Sequence, residues 1–356
     1  MKILLLPKYH REGPSSRYRL FNYIKYFEDR GHEVHVRPLL YEGYVKNLYS
    51  KSRNSKIKML RSLLDRLLFL VKNKKLYDMI IIEKELFTYC PYFIEKLILM
   101  GCRYSVDYDD AVSINYKSSR IKSLLLGNKI NGLSGKAVLT TVGNRWYPNE
   151  IVKGNLVYLP TVIDITKYDA AGMDEKEDKV PVIVWIGSPS TAHYLDDVCA
   201  IFKHLAENNR FKLKVIGADV RIEGVDCEYI PWSKENEFRE LYTSDIGIMP
   251  LLDTRWEKGK CGFKLIQYMA SFLPTVASPA PANEEITVQG ETGFIAGNND
   301  EWEKYLLMLI NDAELRKRMG SAARKRVEDN YTYQVWGDRF VNMIESFGEG
   351  IKNVRN

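Results

Sequence analysis

The chain opens on a unit that leaves few folds available. Residues 2–6 (KILLL) form a short apolar run, followed by a Gly/Pro/Ser loop (Gly13-Pro-Ser-Ser-Arg17). A segment of helical character runs from Tyr18 to Arg30, closed by Gly31, and His32–Val36 reads as a second strand. Strand, loop, helix and strand in this order form the βαβ unit of a parallel sheet. The opening Met1–Pro7 is too short for a secretory apolar core and reads better as a strand. The pattern continues with Tyr77–Glu83, a helix near Cys90–Met100, Tyr104–Tyr108, Val138–Val142 and Leu156–Tyr158.

After a polar stretch, Ala170–Lys179, read as a linker, Val180–Ile186 (VPVIVWI) starts the pattern again. It leads into Gly187-Ser-Pro-Ser-Thr191 and a helix to about Glu207. Strands are expected at Leu213–Ile216, Glu228–Ile230, Asp245–Met249 and Thr275–Ala277, and a closing helix over Tyr331–Glu345. A chain of 356 residues allows two domains at roughly 150 residues each. Two doubly wound α/β domains are therefore expected, 1–165 and 166–334, with ligands at the carboxyl ends of the strands, in the cleft between two facing domains.

The charge divides with the fold. Residues 1–162 carry 28 Lys and Arg against 14 Asp and Glu, and the remainder carries 24 against 32. A basic first half favours an anionic partner such as a membrane surface, a phosphorylated lipid or nucleic acid. The density peaks at Lys46–Lys75, with ten basic residues and one acid, Asp65. There Ile57, Leu60, Leu63, Leu64, Leu67, Leu68 and Val71 recur at helical spacing, with Lys58, Arg61 and Arg66 off the stripe. Such a helix either packs on its own sheet with a solvated basic back or lies on an anionic membrane. No recognisable nucleic-acid module accompanies the charge. No run approaches the 18 apolar residues of a membrane span. Five cysteines without a C-x-x-C fit free thiols in a reducing cytosol, and the five histidines include no metal-ligand motif.

Neither G-x-G-x-x-G nor a P-loop is present. Two other segments suit phosphate. Gly187-Ser-Pro-Ser-Thr191 places Ser188 and Ser190 between a strand and a helix start, where N–H groups can meet an anion. Gly259-Lys-Cys-Gly-Phe-Lys264 places Gly262 and Phe263 beside Lys264 at the start of another helix. A cation there opposes the helix dipole, unless a diphosphate needs both its charge and the N–H donors. In the first half, Arg17 and Arg19 follow the first strand and could meet phosphate. Asp107-Tyr-Asp-Asp110 gathers three carboxylates at a strand end, a pattern of functional sites that leaves a divalent cation conceivable.

Residues 245–296, with Tyr77–Glu85, Arg103–Ala111, Pro160–Asp164 and Ile186–Leu195, resemble glycosyltransferase family 4, in a bacterial branch tied to surface-polysaccharide assembly. The resemblance implies a GT-B architecture of two facing Rossmann-like domains. The second would bind a UDP- or GDP-linked sugar, and the last helix, 335–356, would return to the first. It implies transfer with retention, needing no metal or other cofactor, to a glycan or polyprenyl-diphosphate-linked acceptor at the cytoplasmic face of the membrane. Gly187 and Ser188 match the diphosphate turn, and Lys264 matches the lysine that neutralises the leaving phosphate. Gln267 falls where the family has a ribose-binding glutamate, and Gly259 where a second glutamate touches the sugar, with Glu257 two residues away. Trp232 ends the strand that places the base, and Glu285 matches a later motif without an assigned contact. The family's active-site histidine falls on Asp109, and His193 is the nearest polar residue where an arginine is usual. The resemblance leaves two alternatives open: a nucleotide-sugar epimerase of the same fold, and a non-catalytic nucleotide-sugar binder.

Overall fold

The structure, a computed structural model, describes residues 1–45, 54–117, 119–169, 180–233 and 237–348. The linker read at 170–179 and the start of the basic segment, 46–53, lie outside them. The chain forms two compact units. The first comprises Met1–Thr161, Gly259–Cys261 and Trp336–Asn356, and the second Val162–Lys258 and Gly262–Val335.

The first unit holds strands β1 (Lys2–Leu6), β2 (Glu33–Val36), β3 (Met79–Glu83), β4 (Tyr104–Tyr108), β5 (Leu139–Val142) and β6 (Leu156–Tyr158). They form one parallel sheet in the order β2-β1-β3-β4-β5-β6. Runs such as KILLL and MIIIE are apolar on both faces because both faces are covered. On one face, Leu4, Leu6, Ile80, Ile82, Val106 and Tyr108 share a core with side chains of the helices between β2 and β5. Elsewhere in the unit, the last helix packs Phe340 edge-on against Tyr23 (4.9 Å) and Phe27 (5.6 Å). His32 and Glu345, 2.8 Å apart, join the same helix to the start of β2.

The second unit holds β7 (Val182–Ile186), β8 (Lys212–Ile216), β9 (Cys227–Ile230), β10 (Ile246–Met249), β11 (Thr275–Ala277) and β12 (Gly293–Ile295). The order is β12-β11-β10-β7-β8-β9, again all parallel. Its core runs from Trp185 and Ile248 to Phe202, Leu306 and Met319. Strand order reverses between β1 and β3 in the first sheet and between β7 and β10 in the second. Ligands of open α/β sheets bind at such switch points, beyond the carboxyl ends of the strands.

Several local readings need correction. The helix expected over Tyr18–Arg30 is broken into Pro14–Arg19, a 3-10 turn at Phe21–Tyr23, and Ile24–Asp29. The helix after Gly187 begins as a 3-10 segment, Pro189–Val198, and becomes α-helical only at Cys199–Asn208. Strand β12 is an addition: three residues at a sheet edge carry too little pattern to stand out from a loop. Arg66 does not belong to the solvated back of its helix. It is 3% exposed and donates to the carbonyls of Leu86, Pro7 and Arg37. Among the described residues, no helix is long and apolar enough to cross a membrane.

Candidate functional site

At the switch point of the first unit, β3 ends in Glu83 and β4 runs into Asp107–Asp110, and ionic side chains lie beneath both. Arg19 is fully buried and grips Asp107 with two bonds, Nε to Oδ2 at 2.9 Å and Nη2 to Oδ1 at 2.5 Å. Its remaining nitrogen donates to the Leu159 carbonyl at 2.7 Å. Arg19 is thus a structural cation, not the phosphate ligand the loop suggested.

Lys84 follows in a left-handed conformation (φ 63°), a strained choice for a side-chain-bearing residue. The strain aims its ammonium at Asp109 (3.0 Å) and Asp110 (2.6 Å). The three carboxylates of the 107–110 cluster therefore divide between Arg19 and Lys84. Among the described residues, no group of His, Cys, Asp or Glu is arranged to hold a metal ion. Deeper, buried Lys129 contacts Glu85 at 2.7 Å and Glu95 at 3.1 Å.

Ser15 links two of these acids. Its hydroxyl is 2.8 Å from Glu83 Oε1 and also bonds Asp109. A hydroxyl has one proton, so both bonds form only when one carboxyl is protonated. Burial pushes the Glu83 carboxyl up. Burial acts the same way on Asp109, but Lys84 and Arg19 together outweigh it and hold this carboxyl below its usual range. The two carboxyls flanking Ser15 are thus pushed in opposite directions, Glu83 up and Asp109 down. Asp109 and Asp110 reach solvent, with 12% and 37% of their side chains exposed. Arg17 is half-buried, with its guanidinium 4.8 Å from the Tyr18 ring centre.

The segment Gly259–Cys261 groups with this unit. Asn144 donates to the Lys260 carbonyl at 2.7 Å, Tyr147 to that of Gly259 at 3.1 Å, and the Cys261 thiol to that of Asp109 at 2.8 Å. A Cβ on Gly259 would lie 2.3 Å from that of Ala111, so no glutamate fits there without rearrangement.

At the switch point of the second unit, Gly187 follows β7 and donates to Ile216 at 2.9 Å. Trp185, two residues back, is fully buried, and the Lys264 ammonium stands 4.2 Å from its ring centre. A Cβ on Gly187 would meet the Trp185 ring at 2.3 Å and Lys264 Nζ at 2.8 Å, so the glycine keeps space for both. Gly262 caps helix Phe263–Ala270 at φ 63°, a left-handed turn suited to glycine, which sets Phe263 and Lys264 in the first turn. The Ser188 and Ser190 hydroxyls lie 2.8 Å apart, and Thr191 bonds back to Ser188. The arrangement offers a cation, hydroxyls and backbone at one strand end, the donor set of an anion site.

Gln267 is nearly buried, and its amide donates to Glu237 Oε1 at 2.7 Å. The other Glu237 oxygen takes the indole N–H of Trp232, also at 2.7 Å. Glu237 thus places a carboxylate against Gln267, thirty positions away in the chain. Glu237 escaped the sequence reading because nothing in its local pattern marks it. Glu257 is buried and engaged by Tyr194 (2.5 Å) and Thr254. Glu285 is half-buried on helix Pro281–Ile286, where Arg326 bonds its carbonyl. His193 lies exposed, its Nδ1 3.1 Å from the Ser190 carbonyl.

The chain is similar to several known proteins. Residues 172–326 match the family Glycosyl transferases group 1. Spore coat protein SA of Bacillus subtilis (strain 168) is 24% identical over 221 residues, covering 60% of this chain and 50% of that protein. The capsular polysaccharide biosynthesis glycosyltransferase CapM of Staphylococcus aureus is 31% identical over 84 residues, 23% of this chain and 22% of that one. The matched stretches thus span half or less of these relatives. Among solved structures, Anabaena HepE in complex with UDP superposes with a TM-score of 0.71 at 14% identity, covering 97% of this chain and all of that one. That likeness shows the fold: two Rossmann-like parallel sheets of the GT-B type, six strands in each.

Proposed function

We propose that the chain is a glycosyltransferase that moves a sugar from a nucleoside-diphosphate sugar to a glycan or lipid-linked acceptor in cell-surface polysaccharide synthesis. The observation that carries this reading is the Gly187–Trp185–Lys264 arrangement at the second switch point. Breaking the bond between the anomeric carbon and the diphosphate oxygen builds negative charge on that leaving oxygen. Lys264 and the N–H groups beside Gly187 and Gly262 stabilise it. Trp232 stacks on the base, while Gln267 and Glu237 together grip the ribose hydroxyls with one neutral and one charged group. Ser188 and Ser190 bond the diphosphate. Glu285 holds its place through its backbone, with no ligand contact assigned to it. The relatives named for a spore coat and a capsule, and the UDP complex of the HepE neighbour, support this reading.

On the acceptor side, Asp109, which Lys84 and Arg19 hold below the usual carboxylate range, orients an acceptor hydroxyl. Arg17 lies on the helix that carries Ser15 and meets acceptor phosphate. The transfer proceeds with retention, the leaving phosphate taking the acceptor proton, and the net charge of +14 on residues 1–162 favours an acceptor in an anionic membrane at the cytoplasmic face.

The test is nucleoside diphosphate release from UDP- and GDP-sugars, with and without glycolipid extracted from bacterial membranes. Proton NMR reads the anomeric configuration of the product. Release that requires acceptor, with configuration kept, is expected. A changed sugar nucleotide formed without acceptor would establish the epimerase instead. Binding with neither product would reduce the chain to a nucleotide-sugar binder.

A further inference from the structure

The helix Asn54–Asn73 has apolar residues on more of its surface than its own sheet can cover. Leu70 is fully buried, and Leu63 and Leu67 pack on the core beneath. On the outside, Ile57, Leu60, Leu64, Leu68 and Val71 form a second stripe at spacings of three and four, each 49–64% exposed. An outward stripe of this kind is costly on a helix that meets only water.

The stripe has neighbours. Helix Tyr92–Ile98 exposes Phe93 (63%) and Leu97 (61%), and helix Arg120–Leu126 exposes Ile121 (74%) and Leu124 (86%). These helices lie on the β2-to-β3, β3-to-β4 and β4-to-β5 connections, which all step in one direction along the sheet. Right-handed crossovers therefore place all three on the same face. Their inner residues share one core, and the Lys74 ammonium at the end of the first reaches the carbonyls of Ile98 and Met100 at the end of the second.

Charge says what covers this face. Lys58, Arg61, Lys72, Lys96, Arg120 and Lys122 are exposed on the same three helices as the apolar side chains. Asp65 is exposed on the same three helices, while Glu95 is buried beside Lys129. A second copy would bring cation against cation, and a neutral partner would leave the basic side chains unmatched. An anionic lipid surface satisfies both the apolar and the basic side chains.

We infer that this three-helix face is a docking surface for an anionic lipid bilayer, with Ile57, Leu60, Leu64, Leu68, Phe93 and Leu124 entering the headgroup boundary. It gives the membrane contact of the proposed function a specific place and rests on that reading only for its purpose, since lipid binding is measured without sugar transfer. The full chain is floated with vesicles of phosphatidylglycerol and phosphatidylcholine, or of phosphatidylcholine alone, at low and high salt. The comparison uses L60E/L64E/L68E, K58E/R61E and L124E, each checked by circular dichroism for an unchanged fold.

Binding is expected on the anionic vesicles alone, weakened by salt, and reduced at least about tenfold by the triple glutamate variant. L124E and K58E/R61E are expected to reduce it severalfold. Wild-type binding to neither vesicle, or equal binding by the triple variant, overturns the inference. So does a concentration-dependent dimer in light scattering that the triple variant abolishes while vesicles stay unbound. Nucleotide titration of the same variants separates the two proposals. Vesicle binding without nucleotide binding leaves the surface standing and the transferase reading failed, and the reverse result does the opposite.

Discussion

The two switch points share a sheet geometry and differ in where their polar groups are satisfied. In the first unit the charges answer one another: Arg19 holds Asp107, Lys84 holds Asp109 and Asp110, and Lys129 holds Glu85 and Glu95. In the second unit the cation at the strand end stands over an aromatic ring, beside a glycine whose missing side chain keeps the space open. The difference separates two uses of a strand end. A network of mutually paired ions is rigid and costly to break, so it suits holding a few surface groups such as Asp109 in fixed orientation. A lysine beside glycines and hydroxyls suits an arriving anion.

The contrast is broken most directly at Arg19. Arg19→Ala leaves Asp107 buried without its partner, and denaturant unfolding should show a loss of about 3–5 kcal/mol. A loss below about 1 kcal/mol would mean that the first network is not what holds that strand end.

Glu95 gives the next largest effect, and it depends on pH. Burial pushes its carboxyl up to about 7 despite Lys129. Between the unfolded value of 4.5 and about 7 the folded chain keeps a proton that the unfolded chain releases. The wild type therefore loses stability as pH rises through that window, and the loss is complete above it. Glu95→Gln removes this slope. Relative to the wild type, the variant should therefore gain up to roughly 3 kcal/mol of stability between pH 4.5 and pH 8. Parallel stability curves for the two proteins from pH 4.5 to 8 would contradict the assignment.

In the second unit the expected effects are read on ligand. Lys264→Ala should weaken nucleoside diphosphate binding about 10- to 100-fold. Glu237→Gln should cost about three- to tenfold in the same titration, because Trp232 keeps an acceptor while the ribose grip loses its charge. An unchanged affinity in the Glu237 variant would return the ribose to Gln267 alone.

Much of this frame is legible in the residues. Apolar runs such as KILLL and VPVIVWI declare buried parallel strands, and their spacing with helical segments declares two doubly wound sheets. The Gly187 turn and the Lys264 helix start are legible as well, because a glycine and an ill-placed cation break local rules. Partnership is not legible. Arg19 reads like any loop arginine until the fold brings Asp107 to it, 88 residues away. Glu237 and Gln267 meet across 30 residues, and no periodicity links them. The helix at Asn54–Asn73 shows why pattern alone stops short. Its apolar residues were visible, but only the packed sheet shows that Leu70 and Arg66 turn inward while Leu64 and Leu68 turn out.

The most direct measurement is calorimetric titration of the wild type and Lys264→Ala with UDP, GDP, ADP and CMP. The account predicts that one nucleoside diphosphate binds the wild type and that Lys264→Ala loses most of that affinity. Binding of none of the four, or equal binding by the variant, would contradict it and remove the donor site from the second unit.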